Sequence, residues 1–244
     1  MSKPDKINIL GVNFGYLTFD EALEMLMGFL DGDRPRAVFT PNPEFVMLAR
    51  KDPEYKALLN GADAVLPDGI GIVLASRLGR HKLKGRITGY DIVQAIFSRI
   101  RETDKTVYFY GGAPGVADEA RLRMEETHPG LRIVGASNGY LDDAGQEAMT
   151  EEIKRLKPDI LLAGTGSPRQ ERWISLHKEN LPCKLFIGVG GSFDVMSGRI
   201  PRVPKLIGDM GFEWLYRLIK EPKRIKRQVQ LPLFILAVIR ERFR

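Results

Sequence analysis

Three glycine-rich turns in this sequence have the makings of a phosphate site. Val107-Tyr108-Phe109-Tyr110 runs into Gly111-Gly112-Ala113-Pro114-Gly115. Two later apolar runs end in Gly164-Thr165-Gly166-Ser167-Pro168 and in Gly188-Val189-Gly190-Gly191-Ser192-Phe193-Asp194. Glycine lets backbone N–H groups come close to a phosphate, and the N-terminus of a following helix adds partial positive charge. The chain carries neither a GxGxxG fingerprint nor a GxxxxGK[ST] phosphate loop. One such turn is as readily structural as functional. Three of them favour a nucleotide or diphosphate ligand over coincidence.

Polar residues gather after other apolar runs. Thr40-Pro41-Asn42-Pro43-Glu44 follows Val38-Phe39, and Pro67-Asp68-Gly69-Ile70-Gly71 follows Val65-Leu66. Asp68 is the best-placed candidate for a catalytic carboxylate. Its rival role is an N-cap, the usual task of Asp before a helix, and spacing alone favours the cap. In Arg86-Ile87-Thr88-Gly89-Tyr90-Asp91, Asp91 reads as a cap, and Arg86 has no evident structural task, which suits a substrate contact. Asp31-Gly32-Asp33 is a DxD triplet, a pattern that holds a divalent metal in many nucleotide-sugar enzymes, but its place between a helix and a strand reads as a turn. His81, His128 and His177 are scattered, with no Cys or His at metal-ligand spacing, so each reads as a surface residue. No GxSxG elbow exists, and Cys183, the one cysteine, has no evident catalytic partner.

Short β-branched or aromatic runs alternate with helical patterns to position these turns. Strands are predicted at 7–10, 36–39, 64–66, 106–110, 132–136, 159–163 and 184–189. Helices are predicted at 20–30, 43–59, 70–78, 91–100, 116–127, 143–156 and 169–180, the first with Thr18 as N-cap and Glu21 completing a capping box. Such alternation means an α/β fold, a parallel sheet flanked by helices. Near Pro201 the strand signals stop. In 212–230, Trp214, Leu218, Ile225 and Val229 share one helical face, and Arg217, Lys220, Arg224 and Arg227 share a neighbouring one, with Pro222 expected to kink the helix. After Pro232 comes the apolar run Leu233–Ile239. It is too short to span a bilayer, and it suits either a membrane interface or packing on the body or on a second copy of the chain.

Composition narrows the classes. The 244 residues, 43% hydrophobic and 28% charged, suit one large globular domain or two small ones and exclude a disordered or disulfide-built chain. A lone cysteine points to a reducing compartment, and the N-terminal residues do not form a signal peptide. The formal net charge of +6 is concentrated: residues 217–244 hold nine Lys/Arg against two Glu. A basic tail on a near-neutral body calls for an anionic partner, either a membrane surface or a ligand phosphate. Few aromatics stand among its charges, so nucleic acid is not expected.

Seven motifs in order give the chain a family resemblance. They are Thr40-Pro41-Asn42, residues 62–71 (Ala-Asp-Ala-Val-Leu-Pro-Asp-Gly-Ile-Gly), Arg86-Ile87-Thr88-Gly89, Tyr110-Gly111-Gly112, Pro168-Arg169-Gln170-Glu171-Arg172-Trp173, Gly188–Asp194 and residues 211–218 (Gly-Phe-Glu-Trp-Leu-Tyr-Arg-Leu). From about residue 7 to 230 the chain resembles the WecG/TagA/CpsF family of bacterial glycosyltransferases, glycosyltransferase family 26, and within it the TagA branch. The resemblance implies a Rossmann-like catalytic domain over 1–200 and, over 201–244, a helical basic appendage that reaches the membrane and completes the site. It implies an inverting enzyme that works without metal or other cofactor. Such an enzyme moves N-acetylmannosamine from UDP to N-acetylglucosaminyl-diphospho-undecaprenol, an early step of wall teichoic acid synthesis, on the cytoplasmic face of the membrane. Another donor, N-acetylmannosaminuronate, glucose or galactose, is the alternative within the family.

The matched positions imply roles. Asp68 becomes the base, reversing the N-cap preference. Thr40, Arg86 and Gln170 orient acceptor and donor. Asn42 contacts substrate, Gly111, Gly112, Tyr140, Gly190, Gly191 and Asp194 bound the UDP site, and Arg217, Arg224 and Arg227 close over it. Two other classes remain as competitors: an NAD-dependent oxidoreductase, weakened by the missing fingerprint, and a non-enzymatic membrane adaptor, which leaves the polar strand ends without purpose.

Overall fold

The computed structural model describes residues 6–78, 82–204, 207, 215, 216, 218 and 230–242. Its elements in chain order are β1 (Lys6–Ile9), β2 (Val12–Gly15), α1 (Phe19–Leu30), β3 (Arg36–Phe39), α2 (Pro43–Lys51), α3 (Pro53–Gly61), β4 (Ala64–Val65), α4 (Ile70–Arg77), α5 (Gly89–Ile100), β5 (Thr106–Gly111), α6 (Val116–Thr127), β6 (Arg132–Ser137), α7 (Asp143–Leu156), β7 (Ile160–Gly164), α8 (Arg169–His177), β8 (Leu185–Gly188), α9 (Ser192–Met196) and α10 (Gln230–Arg242). β1 and β2 form an antiparallel hairpin of their own. The other six strands make one parallel sheet in the order β4-β3-β8-β7-β5-β6, the predicted α/β architecture.

The strand residues alternate between two cores, one on each face of the sheet. Phe39, Tyr108, Tyr110, Leu161, Ala163 and Phe186 join Val46 and Tyr55 of α2 and α3, Ile153 of α7, Trp173 of α8 and Phe234 of α10. Val38, Val107, Phe109, Ile160, Leu162, Leu185 and Ile187 join Leu26 of α1, Ile96 of α5, Ala120 of α6 and Phe193 of α9. A period of two along each strand makes the two faces, and burial of both explains why the central strands read as unbroken apolar runs.

Several boundaries depart from the sequence expectation. The helix predicted over 43–59 is two helices, because Pro53 cannot continue α2; Asp52 ends α2 and caps α3 by accepting from the Tyr55 N–H at 2.9 Å. The Thr18–Glu21 capping box is present, with both reciprocal bonds formed. At the C-terminus, α10 lies against α2 and α4 with Phe234 fully buried, so one face packs on the body. Leu233, Ile235, Leu236 and Ile239 remain exposed. No helix among the described residues is long and apolar enough to cross a membrane. The helix predicted over 212–230 lies largely outside the described residues.

Candidate active site

Parallel strands bring their carboxyl ends to one edge, and ligands bind where neighbouring strands send their connections in opposite directions. Here the chain leaves β5 through α6 toward the edge strand β6, and leaves the adjacent β7 through α8 toward β8 on the other side. A cavity of about 840 Å³ opens there and extends past β8 to β3. Thr40, Asn42, Asp68, Arg86, Gly112, Tyr140, Gln170, Gly190, Gly191 and Asp194 all line it, so residues from seven separate segments converge. Gly111 ends β5 beside it, its Cα paired in register with Gly164. Arg217, Arg224 and Arg227 lie outside the described residues.

The local geometry explains each placement. Asp68 does not cap α4, contrary to the spacing argument. Gly69 takes the N-cap position with φ +87°, and it has no side chain with which to bond the first turn. That backbone conformation suits glycine and displaces the aspartate by one residue, leaving its half-buried carboxylate on the cavity wall. Asp91 is not the cap of α5 either. Thr88 caps it, accepting from the Asp91 N–H at 3.0 Å, and the Asp91 carboxylate pairs with Arg202. Asn42 caps α2 through its carbonyl, accepting from the Phe45 N–H at 3.2 Å. The Thr40 hydroxyl faces the end of β8, 3.4 Å from the Gly188 carbonyl.

The opposite side of the cavity is made of backbone. α6 and α8 start at Gly115 and Pro168 with no side-chain cap, and part of each first turn is bonded locally, the Val116 N–H to the Ala113 carbonyl and the Gln170 N–H to the Gly166 carbonyl, both at 3.0 Å. Gly111 permits the close packing that shapes this side: a Cβ there would lie 2.4 Å from the Gly164 carbonyl carbon, at φ +145°. Gln170 is buried, and its Oε1 accepts from the Gly190 N–H at 2.9 Å.

Three further cationic or aromatic groups escaped the sequence argument. Arg169 donates to the Gly139 carbonyl at 2.6 Å, and its guanidinium stands 5.8 Å from the centre of the Tyr140 ring, which is 71% exposed at the rim. Arg202 lies over the Tyr90 ring at 4.8 Å while paired with Asp91, pinning the start of the C-terminal segment across the cavity mouth. Arg169 stands beside Gln170 in a motif already singled out; Arg202 has no local signal, since its partners are distant in sequence. Asp31 and Asp33 sit in the turn before β3, at the opposite end of the strands from the cavity. His128 and His177 are half-buried rather than surface residues, packed on the rings of Phe97 and Trp173, and His81 is outside the described residues. Burial pushes the Cys183 thiol up to about 12, which leaves it unreactive.

Comparison with known proteins finds similarity along nearly the whole chain. The model of the glycosyl transferase WecG/TagA/CpsF family matches residues 7–244. The N-acetylglucosaminyldiphosphoundecaprenol N-acetyl-beta-D-mannosaminyltransferase of Bacillus spizizenii is 36% identical over 212 residues, 87% of this chain and 82% of the relative. The enzyme of the same name from Bacillus subtilis is 34% identical over 234 residues, 96% of this chain and 90% of the relative. That of Staphylococcus aureus is 30% identical over 239 residues, with 97% and 93% covered.

Proposed function

The chain belongs to the WecG/TagA/CpsF family of glycosyltransferases, and from that premise we propose that it transfers N-acetylmannosamine from UDP to N-acetylglucosaminyl-diphospho-undecaprenol, an early step of wall teichoic acid synthesis. One observation carries the proposal: a single cavity brings Thr40, Asp68 and Arg86 together with the glycine turn before α6 and the first residues of α8. The polar side suits a sugar hydroxyl, and the backbone side suits a diphosphate.

The proposed reaction is one inverting displacement. The Asp68 carboxylate takes the proton of the acceptor hydroxyl as that oxygen bonds to C1 of the donor sugar. The C1–O bond to the β-phosphate breaks, and its electron pair leaves with UDP. Arg86, Arg169 and the N–H groups of α6 and α8 stabilise the charge that develops there, a role that needs no metal. Gln170 and Thr40 orient the reactants, Asn42 offers its amide to a sugar, and Tyr140 and Asp194 bound the nucleoside with Gly111, Gly112, Gly190 and Gly191. Arg217, Arg224 and Arg227 are proposed to close over the diphosphate.

The appendage is proposed to dock on an anionic membrane surface from the cytoplasmic side. The exposed Leu233, Ile235, Leu236 and Ile239 of α10, with Arg240 following in the chain, support that reading. A lipid-linked acceptor then meets the enzyme where its anchor already lies. Asp68→Ala tests the chemistry: calorimetry is expected to find UDP still bound, with turnover reduced about 10³-fold. Turnover near wild type would remove Asp68 from the role of base.

A further inference from the structure

Directly behind the cavity lies a cluster of buried polar side chains that the proposed chemistry does not use. Glu171 follows Gln170 in the first turn of α8 and is 3% exposed. Its Oε1 accepts from the Ser167 hydroxyl at 2.6 Å and from the Gln170 carboxamide NH2 at 2.9 Å. Its Oε2 is buried with no hydrogen-bond partner, and so is the hydroxyl of Tyr55, a fully buried residue of α3. Burial raises the Glu171 pKa against the opposing pull of Ser167 and Gln170, and no cation offsets it. Burial, and then the Glu171 charge, push up the Tyr55 phenol, so the two groups are within electrostatic reach. A charge in such a place is costly unless paired, which favours the neutral acid.

The Gln170 carboxamide has two chemically distinct ends, and both are engaged. Its NH2 faces Glu171, and its carbonyl oxygen receives the Gly190 N–H. The side chain passes so close to β8 that a Cβ on Gly188 would lie 2.8 Å from Gln170 Nε2. Turning the amide over would set two donors against each other at Gly190 and lose the bond at Glu171. The acceptor oxygen of Glu171 and the Gly190 N–H therefore select the same orientation of Gln170.

We propose that Glu171 is a positioning residue: held by Ser167, it fixes the orientation of the Gln170 carboxamide and, through it, the Gly190 turn on the donor side of the cavity. The inference rests on the role proposed for Gln170 in transfer. The full chain is compared with Glu171→Gln, Glu171→Ala, Ser167→Ala and Gln170→Ala for melting temperature, kcat and donor KM. The Gln170 side-chain NH2 protons, identified by their absence in Gln170→Ala, are followed by nitrogen-15 NMR. Glu171→Gln still presents an acceptor oxygen and is expected to keep most of the turnover. Glu171→Ala is expected to lose about 10- to 100-fold in kcat with a much smaller change in donor KM, and to lose exchange protection of the Gln170 protons.

Wild-type turnover in a folded Glu171→Ala, or equal damage from Glu171→Gln, overturns the proposal. If Glu171→Ala does not fold, Ser167→Ala must lower kcat while Glu171→Gln does not, and the reverse pattern overturns it. Normal turnover in Gln170→Ala would instead remove the role of Gln170. Exchange protection retained in Glu171→Ala would then still contradict the positioning claim.

Discussion

Helices α1, α2, α3, α5 and α7 begin with a side chain bonded into their first turn, supplied by Thr18, Asn42, Asp52, Thr88 and Asp142. Helices α4, α6, α8 and α9 do not. The second group follows β4, β5, β7 and β8, four strands whose ends reach the cavity, as those of β3 and β6 also do. Where only stability is at stake, the chain satisfies its own N–H groups. Where the proposed diphosphate would lie, glycine or proline takes the N-cap position instead and brings no capping side chain. Asn42 and Thr88 sharpen the contrast, because they line the cavity on the side where a neutral sugar rather than a phosphate is expected.

Substitutions in the two groups should therefore fail in different ways. The largest effect is expected from Gly111→Ala, whose Cβ would meet the Gly164 carbonyl carbon at 2.4 Å. A loss of about 3 kcal/mol or more, read by denaturant unfolding, is expected. Next, Ala113→Asp places a carboxylate on the backbone side of the cavity, ahead of uncapped α6. Calorimetry should show UDP affinity reduced about 10- to 100-fold, which is roughly 1.4 to 2.8 kcal/mol, with melting temperature unchanged. Unaltered affinity would break the assignment of that side to the diphosphate.

Leu236→Glu changes the exposed face of α10 and should lower partitioning onto anionic vesicles about tenfold, leaving UDP affinity intact. Thr18→Ala removes a true cap and should cost about 1 kcal/mol of stability with no change in UDP affinity. The smallest expected effect is none: EDTA leaves turnover unaltered, and strong inhibition would return attention to Asp31 and Asp33.

Much of the fold can be read from the sequence, since parallel strands buried on both faces announce themselves as short apolar runs. Arg36–Phe39 is found where expected, and the ends of β5, β7 and β8 carry the glycines that flagged them. What escaped has physical causes. Asn13, Gly15 and the preceding Gly11 leave β2 without an apolar run, and apolar periodicity continues across Asp52-Pro53 and hides a helix boundary. The capping role expected of Asp68 failed because Gly69 adopts a left-handed conformation that a residue count does not reveal.

The site was legible in part for a related reason. Turns that end strands are brought together by the sheet itself, so their polar residues could be nominated from sequence. The Arg202–Asp91–Tyr90 cluster and the contact of Glu171 with Ser167 and Gln170 depend on side-chain packing. Glu171 resembles any charged helix residue until its 3% exposure is known.

The central claim is inverting transfer to a lipid-linked sugar in this cavity. Its most direct test is incubation of the full chain with α-linked UDP-N-acetylmannosamine and a short-chain lipid diphosphate N-acetylglucosamine, with other nucleotide sugars as controls, followed by NMR of the product's new linkage. The account predicts a β-linked N-acetylmannosamine product, formed with that donor and not with the controls. An α-linked product, or equal transfer from another nucleotide sugar, would contradict it.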